Sequence, residues 1–177
     1  MKNLLTKTLV FLGIFSVLAF PLSFLVSCHP AALIVPSYIQ NVGVALVDNK
    51  TSYFGLDTLF TQAMIRQFQL DGRLPLEDPE KADLTVKVVI RQYIQEPQLY
   101  DPKTNYVLQY RLSIVYDLAA VDQKEKKTFV EDTGKIHSIF YYTPQFVGAP
   151  SETMDQAVSQ LADDMGHVIV RRVLEGY

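Results

Sequence analysis

The clearest pattern in the chain is a strict alternation. Tyr106, Leu108, Tyr110, Leu112, Ile114, Tyr116 and Leu118 fall on one parity, while Val107, Gln109, Arg111, Ser113, Val115 and Asp117 fall on the other. Successive strand side chains point to opposite faces, so this pattern predicts a strand with one face on a core. Leu84, Val86, Val88 and Ile90 alternate in the same way with Thr85, Lys87, Val89 and Arg91, predicting a second strand. Residues 39–47 are apolar on both parities and read as a strand covered on both sides. Residues 128–142 read as a less regular strand, bent near Gly134. Helical spacing governs two other stretches. Leu56, Leu59, Phe60, Ala63, Met64 and Phe68 share one face, closed by Asp71-Gly72. Met154, Ala157, Val158, Leu161, Met165, Val168, Ile169 and Val173 share another, with Ser151 or Thr153 as N-cap, Arg171 and Arg172 in the last turn and Gly176 as stop. Residues 48–52 are a polar turn carrying helix-capping side chains. The predicted order is β-α-β-β-β-α.

The N-terminus has a different logic. After Lys2 and Lys7 no charged residue occurs before Asp48, and the intervening run is apolar. A membrane-spanning helix competes with a secretory signal here, because the run approaches the ~20 residues that a bilayer core requires. Pro21 and the small residue before Cys28 favour the signal. Leu25-Val26-Ser27-Cys28 resembles the bacterial lipobox, and Cys28 is the sole cysteine, so no internal disulfide competes for it. A thiol suits acylation because thiolate is the strongest side-chain nucleophile available. The expected organisation is a lipoprotein signal peptide over residues 1–27, a lipidated tether over 28–36 with Cys28 as its first residue, and a single domain over 37–177. His29 after the cysteine, rather than aspartate, points by the enterobacterial sorting rule to the outer membrane.

Charge then narrows the chemistry. The chain has 16 basic and 19 acidic residues, a net −3, and Lys2 and Lys7 lie in the signal, so bulk nucleic-acid binding has no support. His29, His137 and His167 have no metal-ligand spacing, and Asp163-Asp164 are neighbours about 100° apart on a helix rather than an acid pair. Without a phosphate loop or nucleophile elbow, neither an enzyme nor a cofactor is expected. One candidate surface remains. The sheet face opposite the helices is expected to carry Lys87 and Arg91, Gln109 and Arg111, and Lys135 and His137, with Lys87, Arg91, Arg111 and Lys135 as contacts for an anionic partner. An ordinary solvated polar face explains the same pattern equally well. The aromatic stretch 140–146 is read as core packing, with a contact surface as its alternative.

Several segments together carry a family likeness: Val35-Pro36-Ser37-Tyr38-Ile39-Gln40-Asn41-Val42, Asp48-Asn49-Lys50-Thr51, Ile65-Arg66-Gln67-Phe68 before Asp71-Gly72-Arg73-Leu74, and Ile169-Val170-Arg171-Arg172-Val173-Leu174-Glu175-Gly176-Tyr177. As a set they resemble the lipopolysaccharide-assembly lipoproteins, LptE. The resemblance implies an α/β (α+β) two-layer sandwich with two helices on one face of a four-stranded, mixed, largely antiparallel sheet, and the predicted order agrees with it. It also implies an outer-membrane lipoprotein on the periplasmic face, held by its lipid anchor. Its partners would be the lipopolysaccharide translocon β-barrel, which it plugs and helps assemble, and lipopolysaccharide itself. The alternative is a small periplasmic lipoprotein that activates a peptidoglycan synthase or serves another envelope assembly step.

Overall fold

The computed structural model describes residues 34–148, 150 and 152–176. The expected signal peptide over 1–27, Cys28 and the expected tether up to residue 33 lie outside the described residues. Five strands and two helices follow in the order β1 (Val42–Val44), β2 (Asp48–Asn49), α1 (Leu56–Asp71), β3 (Leu84–Tyr100), β4 (Val107–Asp122), β5 (Lys127–Tyr142) and α2 (Met154–Glu175). The sheet runs β1-β3-β4-β5, with β2 also against β3. Both short strands pair with β3 in parallel, and the three long strands pair antiparallel. The fold is the expected α+β sandwich of two helices and a mixed sheet.

Residues 39–47 do not form one strand. Ala45 still donates to Val86 O at 2.9 Å, but the Val47 N–H turns to Thr61 Oγ1 on α1, 2.9 Å away. That single side-chain acceptor pulls the chain out of the ladder, which it rejoins at Asp48↔Val89 as β2. The turn after it does not cap α1 either. Asn49 Oδ1 accepts from Thr51 N and Oγ1, and its Nδ2 donates to Tyr53 O, so these groups are used inside the loop. The N-cap of α1 is Gly55 at φ 83°, a left-handed conformation that glycine adopts without steric cost. By contrast α2 starts with a full capping box: Thr153 Oγ1 accepts from Gln156 N, and Gln156 Oε1 accepts from Thr153 N.

The core lies between the helices and one face of the sheet. Leu56, Phe60, Met64 and Phe68 of α1 and Leu161, Met165 and Ile169 of α2 are fully buried, facing Leu84, Ile90, Leu112, Ile114 and Leu118. Each such side chain contributes about 1.5–3 kcal/mol by leaving water. The helices approach closely because Gly166 faces the backbone of Ala63, where an added Cβ would stand 3.3 Å from the carbonyl. Arg73 holds their C-terminal ends together, reaching Asp71 at 2.6 Å and Glu175 at 2.8 Å.

Two irregularities decide which side chains share a face. In β3 the register shifts between Ile90 and Gln92, so the inward positions change from Val86, Val88 and Ile90 to Tyr93 and Gln95. In β5 it shifts opposite Tyr116 and Leu118, at Thr133 and Gly134, where Gly134 has φ 64°. An extra residue in one strand inverts every later side chain. Lys135 therefore stands opposite Tyr116 and His137 opposite Ile114, two core-facing residues. This corrects the sequence expectation: Lys135 and His137 belong to the helix side of the sheet, not to its open face.

Candidate functional site

The open face of the sheet is the surface that neither helix covers, and its make-up can be read rank by rank from the register. Across β3, β4 and β5 the ranks are Glu96, Arg111 and Phe140; Ile94, Ser113 and Ser138; and Gln92, Val115 and Ile136. Further along come Val89 with Asp117, then Lys87, Ala119 and Glu131. Hydroxyl and small apolar side chains fill the middle. Ser113 and Ser138 share a hydrogen bond of 2.8 Å between their Oγ atoms.

The cations expected here are present but do not form a cluster. Arg91, at the β3 bulge, pairs with Asp117 at 2.6 Å, and Arg111 pairs with its cross-strand neighbour Glu96 at 2.5 Å. Asp117 also accepts from the Gly134 N–H at 2.9 Å, and this bond together with Arg91 holds its carboxyl below the usual range. Lys87 faces Ala119 and has no ion pair among the described residues. Eight residues of β4 separate Ala119 from Arg111, so Lys87 and Arg111 lie ~26 Å apart at ~3.3 Å per residue. Lys135, on the other side of the sheet, is 3.9 Å from Asp132. Asp132 is held mainly by Arg172 of α2, through contacts of 2.6 and 3.0 Å that keep its carboxyl ionised. Beside Lys135, His137 is half-buried, its Nε2 has no hydrogen-bond partner among the described residues, and burial pushes its pKa down. The open face therefore offers one unpaired lysine and two arginines already neutralised by carboxylates. Sequence reasoning placed Asp117 on the parity of Arg111 but missed its pairing with Arg91, and it missed Glu96, because both depend on the register and on a bulge that local composition does not announce.

Two further regions frame this face. At the β4–β5 turn the chain entering the domain is pinned: Tyr38 OH donates to Asp122 at 2.6 Å, and Lys124 Nζ reaches both Tyr38 O at 2.8 Å and Asp83 at 2.9 Å. The hydrogen bond to Asp122 pushes the Tyr38 hydroxyl up to about 12 and keeps the Asp122 carboxyl low. At the opposite end the aromatic stretch divides between both readings given to it. Tyr141 is buried and stacks on Tyr110 at 5.5 Å, and Tyr142 stacks on Phe146 at 4.6 Å, whereas Phe140 is 53% exposed. Leu99, Tyr100 and Tyr106 on the β3–β4 hairpin are exposed as well.

A family profile described as lipopolysaccharide-assembly, LptE, matches residues 39–173, from the approach to β1 through almost all of α2. The chain belongs to the LptE family. That match takes in all five strands and thus the whole open face of this LptE chain. Among curated proteins no match was found. Among solved structures, the hypothetical protein CT253 from Chlamydia trachomatis is similar at 16% identity, covering 78% of this chain and 97% of that one with a TM-score of 0.51. This likeness is one of fold. Rare lipoprotein B from Shewanella oneidensis is 14% identical over 73% of this chain and 91% of its own, with a TM-score of 0.42. A minor lipoprotein from Acinetobacter baumannii is 14% identical over 77% and 93%, with a TM-score of 0.45.

Proposed function

We propose that this LptE-family protein is a non-catalytic outer-membrane lipoprotein, acylated at Cys28 and held on the periplasmic face. In this reading it plugs and helps assemble the lipopolysaccharide translocon β-barrel and assists lipopolysaccharide insertion into the outer leaflet. The observation that carries the reading is the family match across residues 39–173, which takes in every strand of the described residues. The open sheet face supports it in physical terms. Its middle ranks of Ile94, Ser113 and Ser138, and of Gln92, Val115 and Ile136, are uncharged and free of helix cover, a surface suited to lying against a barrel wall. The test is purification of the full chain from detergent-solubilised outer membrane. A one-to-one complex with a large β-barrel is expected, and a Cys28→Ala chain should leave the membrane fraction. A free monomer bound to a soluble synthase domain would instead establish the alternative, a peptidoglycan-synthase activator.

We further propose Lys87, Arg91 and Arg111 as contacts for lipid phosphates or for acidic groups of the barrel, with Lys135 serving the helix side. Because Arg91 and Arg111 are paired, an incoming phosphate has to share them with Asp117 and Glu96, and charge-assisted bonds to a dianion can do so. The double variant Arg91→Glu, Arg111→Glu should weaken lipopolysaccharide binding more at low salt than at high salt. Losing each pair should cost no more than about 1 kcal/mol, and the like charges then set against Asp117 and Glu96 add about as much again. Unchanged binding by the folded double variant would move the lipid contacts off this face.

A further inference from the structure

Among the described residues one long stretch of the sheet's rim carries none of the usual protections of a strand edge. The outer side of β1 is met at Val42 by the segment before β3: Val42 N donates to Pro75 O and Glu77 N to Val42 O, both at 3.0 Å. The upper half of β3 carries the Arg91 bulge, Glu96 and Pro97. The lower half of β5 carries two register shifts and the charges of Lys127, Glu131 and Asp132. Bulges, charges and proline are the usual means of blunting a strand edge. From Lys135 to Tyr142, however, β5 keeps an unbroken register with β4, and residues 136–142 contain no charge, proline or glycine.

The phase of the ladder shows which backbone groups this rim presents. Thr143 N donates to Leu108 O at 3.0 Å, which makes that pair a hydrogen-bonded one. Alternation then turns the N–H and C=O of Lys135, His137, Ile139 and Tyr141 toward β4, and those of Ile136, Ser138, Phe140 and Tyr142 outward. Tyr142 O accepts from Glu152 N at 3.1 Å, as this phase requires. The outward groups of Ile136, Ser138 and Phe140 have no backbone partner among the described residues. Their side chains share the open face, where Ile136 is 67% and Phe140 53% exposed.

We propose that this rim is a strand-addition surface that takes the same strand of a second copy of the chain, antiparallel, about a two-fold axis at Ser138. The occupant follows from the order of residues. Pairing centred on Ser138 sets Ile136 of each copy opposite Phe140 of the other, a favourable apolar cross-strand pair, with Ser138 opposite itself. No charge meets its like, because the rim has none. About six backbone hydrogen bonds form, two for each of three pairs. A closed barrel has no rim strand to offer, so the backbone groups used here differ from the side-chain face, Ile136 and Ser138 included, that is proposed above to lie against the barrel wall. The two-fold contact is isologous and stops at a dimer.

The experiment uses the full chain in detergent micelles. A Ser138→Cys chain should form an intermolecular disulfide under mild oxidation, since a hydrogen-bonded antiparallel pair sets its Cα atoms about 5.5 Å apart, within disulfide range. A Val115→Cys chain, altered on the same face but on the central strand, should not. In sedimentation the native chain should be a dimer at about 100 μM, where a Kd of about 10 μM suffices. Two variants should be monomers with unchanged circular dichroism: Ile136→Lys with Phe140→Lys, and Ser138→Pro. The proline removes an outward N–H and the hydroxyl bond to Ser113, but no backbone bond to β4. A native monomer at that concentration, a dimer that survives in both folded variants, or a ladder of larger oligomers would each overturn the proposal.

Discussion

Replacing Gly43 by alanine is expected to destabilise the domain by about 3 kcal/mol, at the upper end of the cost of overpacking a filled site. Gly43 is the middle residue of β1, and the segment that meets that strand at Val42 crosses directly over it. A Cβ at this position would stand 2.5 Å from the Cα of Pro79, 3.0 Å from its nitrogen and 2.9 Å from the Cβ of Ala82. Two of the three atoms are backbone, so no rotamer change relieves the contact. Either the 75–82 segment lifts, breaking the bonds to Val42, or β1 shifts away from Val86. Urea denaturation measures the effect: the midpoint should fall while the slope stays constant, the signature of a stability change without a change in exposed area. An Ala82→Gly replacement added to Gly43→Ala should restore only part of the loss, because the contacts to Pro79 remain.

The second large effect concerns α1. Phe60 is fully buried between the helix and the sheet, and Phe60→Ala should cost about 3–5 kcal/mol in lost transfer energy and residual cavity. A domain of this size has about 5–15 kcal/mol in all, so thermal unfolding should move to much lower temperature and the protein should approach the limit of folding. Phe54, six residues earlier, is 95% exposed, and Phe54→Ala should stay within about 0.5 kcal/mol of the parent. The two substitutions remove the same side chain, so the contrast in calorimetry isolates burial. Equal losses would mean that α1 does not sit on the sheet by the face that contains Leu56, Phe60, Met64 and Phe68.

Where a long element had one face in the core, its side-chain pattern showed it. The parity of β4 placed Leu112, Ile114, Tyr116 and Leu118 inward, and helical spacing found both helices, with Gly72 and Gly176 in left-handed conformations just past their ends. What stayed hidden depended on single residues acting on the backbone. The hydroxyl of Thr61 divides β1 from β2, and nothing in residues 39–47 points to an acceptor on α1. The shift near Arg91 and the left-handed Gly134 each insert one residue, and the second of these carries Lys135 and His137 through the sheet to the helix side. Gly134 was readable as a bend, but a bend and an inversion of facing have the same local composition. The candidate cations were legible as exposed strand residues. Their carboxylate partners were not, because Glu96 meets Arg111 only once the two strands are in register.

The strand order also sets a timetable for folding. Asp122 pairs with Lys127 across a tight turn, whereas Val42 must find Leu84 across some forty residues and a helix. Closing the longer loop costs about 2 kcal/mol more in chain entropy. The β3-β4-β5 meander can therefore form early, and β1 arrives late, after α1 has a sheet to pack on. On this schedule the Gly43 contact is absent from the transition state. Its alanine variant should unfold faster while refolding at nearly the parental rate, so that only the unfolding limb of the chevron moves.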